Sequence, residues 1–312
     1  MNKLKKIINV LTISDAYILG MLLLYSLWSI LSWSEFATPL LNLASYIVIS
    51  TAVVVFAIVS SKYKGGKVFT LVRRLYIIPI VFFIYSNIHL FIPLVNPQDY
   101  DNTLIAWDLA IFGVNPTEWI TQFASPILTE YLQFTYMMFY VLPFILGIEF
   151  TLRDSDDNFF EFARIVIFGF FFSYILYFFM PAIGPRFTIH DFSMLNSELP
   201  GLYLTNFFRD LVNAGGGVMP DSVNPAEVVN RDCMPSGHTM MTFITILIAF
   251  KFKSKYKWFV AVIGFSLIFS TVYLRYHYVV DVFAGLVFAL ITMWIEPKTE
   301  LLLRSLGFYK YN

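Results

Sequence analysis

His238 follows Pro235-Ser236-Gly237 and stands at the start of an apolar run ending near Phe250. Pro and Ser suit the start of a helix. Gly237 lets an anion approach the backbone, where free N–H groups and the positive end of the helix dipole favour phosphate. His238 would sit in the first turn, able to give or take a proton near neutral pH, or it merely caps a helix. A second set lies in "YLRYHYVVDVFAG", residues 273–285, where His277 and Asp281 are spaced to share one helical face. A carboxylate bonded to one ring nitrogen fixes the tautomer and leaves the other nitrogen free to attack. The plainer alternative is a structural His–Asp hydrogen bond. A third stretch, "FFMPAIGPRFTIH" (178–190), breaks at Pro181, Gly184 and Pro185 and presents Arg186, whose guanidinium matches phosphate oxygens bidentately. Arg275 and Arg231 either add positive charge there, snorkel, or pair with carboxylates of the same face.

Together these residues make a two-step phosphoryl-transfer set. His277 attacks phosphorus, His238 protonates the leaving oxygen and then activates the acceptor, and arginines with backbone N–H groups stabilise the equatorial oxygens. There is no His-Glu-x-x-His and no dense Asp/Glu set, and Cys233 is the single cysteine. A mechanism with no metal and no cofactor is therefore the expectation, and no internal disulfide is possible.

The elements that must carry these residues are membrane helices. Of 312 residues, 58% are hydrophobic and 13% charged, against about 25% charged in an ordinary soluble domain. Net charge is zero, so nothing points to nucleic acid as a partner. The reading is an all-α, polytopic membrane helix bundle, because backbone in lipid must satisfy its own hydrogen bonds. Eight spans are expected, at 16–33, 39–60, 75–95, 131–150, 163–183, 238–252, 257–274 and 278–296. The first is expected to be retained rather than cleaved. All but four of the 21 lysines and arginines, including Lys64 and Lys310, then fall on one side. Basic loops stay cytoplasmic, so both termini are expected there. The four exceptions are Arg186, Arg209, Arg231 and Arg275, and three of them flank the motifs above.

Between spans, residues 96–130 hold no lysine or arginine and read as a piece lying in the interface or as a plain loop. Residues 184–235 contain "LYLTNFFRDLVNAGGGV", whose first part suggests an amphipathic surface helix ended by glycines. "RDSDDNFFEFAR" (153–164) reads as a solvated cytoplasmic loop, and His89 as a hydrogen-bonded core histidine.

At "PSGH" and "HYVVD" the chain resembles the type 2 phosphatidic acid phosphatase superfamily. The resemblance covers about residues 100–296. It implies His277 as nucleophile, Asp281 as its orienting partner, His238 as general acid/base, and Ser236 and Gly237 as phosphate contacts. It also implies a six-helix phosphatase core, with a catalytic domain at 101–300, extra N-terminal helices at 1–100 and a tail at 301–312. Two departures stand out. "GPR" ending at Arg186 replaces the family's first-motif lysine, and Thr271 stands where a third-motif arginine is expected. "RYHYVVDV" and "FGVNPTEWI…EYLQFTYMMFY" are more similar to the inositol phosphorylceramide synthase-like branch. This implies a phospholipid or lipid-phosphate substrate and transfer to a lipid hydroxyl, with water as the alternative acceptor. A transporter or channel is the reading from another class, and a vanadate-type haloperoxidase is disfavoured by the apolar composition.

Overall fold

The structure, a computed structural model, describes residues 3–63, 66–153, 156–219 and 222–308. It is helical, with no strand among the described residues. Six helices are long and apolar enough to cross a membrane: Ile13–Leu31, Pro39–Lys62, Leu71–Val95, Pro126–Arg153, Asn158–Leu176 and Val279–Ser305. Two shorter apolar helices, Gly237–Lys251 and Lys257–Tyr273, fill the remaining expected places. The chain is thus a polytopic helix bundle of the kind integral membrane proteins form. Lys64 and Lys310 lie outside the described residues.

Two compact units are present. The first comprises residues 1–95, 154–171 and 292–312. Here α1 (Ile13–Leu31), α2 (Pro39–Lys62), α3 (Lys67–Leu75) and α4 (Ile77–Val95) pack through aromatic residues. Tyr25 lies 4.9 Å from Phe91 and 5.7 Å from Tyr46, ring to ring, and its hydroxyl donates to the Ile84 carbonyl. Thr12 caps α1, and the buried Asp15 of its first turn accepts from Arg73 and Tyr76. His89 sits edge-on to Tyr85.

The second unit comprises residues 96–153 and 172–291. It contains α5 (Asp101–Phe112), most of α6 (Pro126–Arg153), the end of α7 (Asp156–Leu176), and α8 (Pro185–Thr188). It also contains α9 (Thr205–Gly215), α10 (Gly237–Lys251), α11 (Lys257–Tyr273) and the start of α12 (Val279–Ser305). Gly264 lets α11 approach α10, because a Cβ there would meet Ile246 and Thr242. Tyr273 and Ser266 of α11 bond to Thr129 and Tyr131 of α6. At the far end of α10, the buried Glu149 accepts from Ser254 and from the Lys255 N–H, and Arg153 donates to the carbonyls of Phe252 and Lys253. The lysines of 251–257 therefore gather at the end of α10 opposite His238.

One expected loop and the start of the expected tail are helical. The stretch 153–164 is helix from Asp156 onward, with residues 154–155 outside the described set. Phe159, Phe162 and Ile165 recur every three residues and are buried, which gives an apolar helical stripe that outweighs the local charge. Arg164 is correspondingly buried and pairs with Glu296 and Glu300. α12 likewise continues to Ser305, past both the expected end of the span and the expected start of the tail. The surface segment predicted within 184–235 is present as α9. It exposes Phe207 and Leu211 while burying Arg209, which donates to Asn196 and the Leu199 carbonyl. Glu130 of α6 caps α9, accepting from the N–H groups of Leu204 and Thr205 and from the Thr205 hydroxyl.

Residues 96–130 hold a bracket. Asp101 and Asp108 of α5 are two turns apart, so they share a face, and both are buried. Asp101 accepts from the N–H groups of Ile183 and Gly184 and from the Tyr278 hydroxyl. Asp108 accepts from the N–H groups of Val279 and Val280, both at 2.9 Å, which caps α12. Burial pushes the Asp108 carboxyl up, and the two N–H donors pull it back. Asp108→Ala should lower stability by about 2 kcal/mol, since it leaves two buried donors without an acceptor. Asp108→Asn, which keeps one acceptor, should recover part of that loss in thermal unfolding of the detergent-solubilised protein.

Candidate active site

The site lies in the second unit and is built by three reversals of the chain. The first is at α10. Ser236 adopts extended backbone and its hydroxyl accepts from the Thr239 N–H, so it is the N-cap. Its own N–H donates to the Asp281 carbonyl at 3.1 Å, which ties α10 to α12. Gly285 allows this approach, because a Cβ there would lie 2.7 Å from the Ser236 carbonyl oxygen.

The second reversal follows α11. Arg275 has φ of 66°, left-handed, at the position just past the helix end that Gly usually fills. The N–H groups of Tyr276 and His277 then both return to the Thr271 carbonyl. This turn puts His277 within reach of the carboxylate one helical turn onward. His277 Nδ1 lies 3.5 Å from Asp281 Oδ2, which also accepts from the Tyr278 N–H at 3.0 Å. Nε2 is left as the nitrogen facing away from the carboxylate. Asp281 is wholly buried, and its Oδ1 has no hydrogen-bond partner among the described residues.

The third reversal is the Pro-Gly-Pro break. Gly184 has φ of 95°, and a Cβ there would lie 2.8 Å from the Tyr276 carbonyl oxygen, so only glycine passes this point unstrained. Arg186 follows, buried, with its N–H donating to the Arg275 carbonyl at 3.0 Å. Its guanidinium donates to Asn213 at the end of α9 and lies 4.9 Å from the Tyr276 ring. Burial lowers its pKa from the ordinary arginine value, but an arginine stays charged in such a setting.

The histidine rings are neighbours, with centroids 6.0 Å apart and planes tilted by 55°. Tyr136 stacks on His238 at 4.6 Å and lies 4.5 Å from Tyr276, and Phe139 packs on His238 at 4.3 Å, tilted. The Tyr136 hydroxyl is 3.4 Å from His238 Nδ1. An aromatic wall thus runs from His238 through Tyr136 and Tyr276 to Arg186. Tyr136, Phe139 and Tyr276 lie in the stretches that carry the branch resemblance, which by itself gives them no role; Tyr136 and Phe139 are three apart and so share a face of α6.

The expected residues do not all converge. Arg275 is buried and directed to Glu198 and the Thr121 hydroxyl. Arg231 pairs with Asp99 at 2.6 Å and donates to the Pro97 carbonyl. Both guanidiniums are engaged by a carboxylate, so Arg186 is the expected anion ligand whose surroundings are the aromatic wall. The cysteine, read only as excluding a disulfide, lies inside the site. Cys233 Sγ donates to Asp281 Oδ2 at 2.9 Å and is 3.4 Å from His277 Nδ1. Cys233, His277 and Asp281 thus form a grouping whose ligand atoms lie within 4.8 Å of one another. Sequence pattern could not reveal it, because 44 residues separate Cys233 from His277.

Two measurable consequences arise here. A Cβ at Gly237 would fall well inside contact distance of the Tyr177 hydroxyl, with the ring carbon that bears it at 3.5 Å. Gly237→Ala should lower turnover at least about tenfold by shifting the first turn of α10. Adding Tyr177→Phe should restore most of it, since 3.5 Å to the bare ring is an ordinary contact. Separately, burial and the nearby Arg275 push His190 down to about 4. The unfolded state, near 6.5, binds the proton more readily. His190 therefore costs stability progressively as pH falls from about 6.5 towards 4. His190→Gln should flatten that part of the stability–pH curve while keeping a donor to the Thr117 hydroxyl, which the native ring meets at 2.9 Å.

The fold and this cluster define a polytopic helical membrane protein with a histidine-centred site. The sequence profile of the PAP2 superfamily matches residues 102–295. That is more than half of the chain, which therefore belongs to this superfamily and is in general a phosphatase-type enzyme of lipid phosphoesters. The match spans α5 to α12 and contains every residue of the cluster. No curated protein and no solved structure matches the chain.

Proposed function

We propose that the protein cleaves a lipid phosphoester on the non-cytoplasmic face of its membrane and transfers the phospho-headgroup to a lipid hydroxyl. The observation that carries this is the neighbouring pair His238 and His277, 6.0 Å apart by centroid, one of them backed by Asp281. Rings at this spacing are near enough to touch one bound phosphate. His277 Nε2 attacks phosphorus, the P–O bond to the leaving alcohol breaks, and His238 gives that oxygen a proton. An acceptor hydroxyl then loses its proton to His238, forms the new P–O bond and releases His277. Asp281 supports the charged imidazole throughout, as in other carboxylate-backed histidines. Arg186, Gly237 and the free N–H groups at the start of α10 supply the positive field for the equatorial oxygens. No step calls for a metal or cofactor.

Two features favour the face and depth. The lysines of 251–257 and Arg153 cluster at the end of α10 opposite His238, and basic ends stay cytoplasmic. α10 has only 15 residues, a rise of about 22 Å against a hydrocarbon core of about 30 Å. One end must therefore be recessed, which suits a lipid phosphate drawn slightly below the headgroup plane. The same charge bias, carried through an eight-span count, supports placing both termini in the cytoplasm.

Water is the second acceptor reading, favoured by membership of a phosphatase superfamily. Purified protein given headgroup-labelled phospholipid, with and without a lipid alcohol, separates the two. A new labelled lipid only when the alcohol is present supports transfer, whereas release of the phospho-headgroup regardless of the alcohol establishes hydrolysis. No cleavage under either condition would overturn the enzyme reading.

A further inference from the structure

We infer that Cys233, His277 and Asp281 form a binding site for one thiophilic divalent cation of the zinc class. The three donors come from separate stretches: the loop before α10, the turn after α11, and the first turn of α12. Their ligand atoms lie within 4.8 Å of one another and all three residues are buried. Sγ to Nδ1 is 3.4 Å, Nδ1 to Oδ2 is 3.5 Å, and Sγ to Oδ2 is 2.9 Å. Tetrahedral zinc with bonds of about 2.0–2.3 Å has ligand-to-ligand edges of about 3.4–3.6 Å. Two edges already match, and the third must open by roughly 0.6 Å once the S–H···O bond is replaced by two metal bonds.

A second feature points to a ligand independently of the cysteine. The wholly buried carboxylate of Asp281 keeps Oδ1 without a hydrogen-bond partner among the described residues, and such an oxygen is costly to desolvate. A carboxylate bound through both oxygens satisfies Oδ1 on the cation beside Oδ2, whose other lone pair keeps the Tyr278 N–H. The space for sulfur is also built in. A Cβ at Gly184 would approach Cys233 Sγ to 3.3 Å, so glycine leaves room for the thiol.

Binding is a proton exchange. Cys233 loses its S–H proton to solvent as the S–metal bond forms, His277 coordinates as neutral imidazole, and Asp281 coordinates as carboxylate. Thiolate with imidazole selects zinc, cadmium or cobalt over magnesium or calcium. Three protein ligands leave a fourth position for water or a phosphate oxygen.

The consequence for turnover rests on the reading of His277 as nucleophile. A cation on Nδ1 draws electron density from the ring and takes Asp281 from its orienting role, so the occupied site is inhibited. The binding itself does not depend on that reading, and the test separates the two. Metal-stripped, full-length protein in detergent is titrated with cobalt(II). The expected result is a thiolate-to-cobalt charge-transfer absorption that saturates at one ion per chain and is bleached by zinc but not by magnesium. It should be lost in Cys233→Ser, whose folding is checked by its thermal transition. Absence of this absorption in the native protein, or its persistence in Cys233→Ser, overturns the site. Zinc should inhibit lipid cleavage over the same concentration range, and Cys233→Ser should raise the zinc needed by at least about tenfold. A charge-transfer band with unimpaired cleavage would keep the site and remove His277 from the nucleophile's role.

Discussion

Replacing His277 by alanine should lower lipid phosphoester cleavage by at least about a thousandfold, as loss of a covalent nucleophile does. The side chain is almost fully buried against Asp281 and Cys233, so the variant's thermal transition must be compared with the native protein's to separate a chemical defect from a folding one. The decisive companion experiment is trapping. Native protein given substrate labelled at phosphorus and quenched in base should carry label that acid releases, as a phosphoramidate does, and His277→Ala should carry none. Unimpaired cleavage in His277→Ala would end the proposed mechanism.

The second large effect belongs to His238. Its ring packs against Tyr136 and Phe139 at the first turn of α10. His238→Ala should lose about a hundred- to ten-thousandfold on an ordinary lipid phosphoester. The same variant should lose far less on a substrate whose leaving group is an acidic phenol, because that oxygen departs without a proton. An equal loss on both substrates would show that His238 binds or positions rather than protonates. The pair of variants therefore tests two roles with different leaving-group dependence, which a general loss of structure would not reproduce.

The site's motifs were legible in order but not in company. Pro235-Ser236-Gly237-His238 announces a helix start because Ser caps and Gly clears the backbone, and the structure has Ser236 as the N-cap of α10. His277 and Asp281 share a face by spacing alone. Arg275 and Arg231 looked equivalent to Arg186 as anion ligands, since sequence records only that they are charged and near a motif. Their partners, Glu198 and Asp99, are 77 and 132 residues away. Arg275 serves as the left-handed residue that turns the chain into His277, a role usually given to glycine and therefore hidden behind an arginine. The two-turn spacing of Asp101 and Asp108 was a visible signal that went unread, because buried carboxylates in an apparent loop carry no periodic apolar pattern around them.

Composition and hydropathy by themselves determined that this chain is a helical membrane bundle, because a backbone in hydrocarbon has few ways to satisfy its hydrogen bonds. Local spacing put His277 and Asp281 on one helical face and Gly237 beside His238, because a helix turn fixes which neighbours share a face. Tertiary structure alone decided which arginine stands behind an aromatic wall, and that the single cysteine sits between the imidazole and the carboxylate. Those pairings form where distant segments meet, and there burial and geometry, rather than residue type, select the partners.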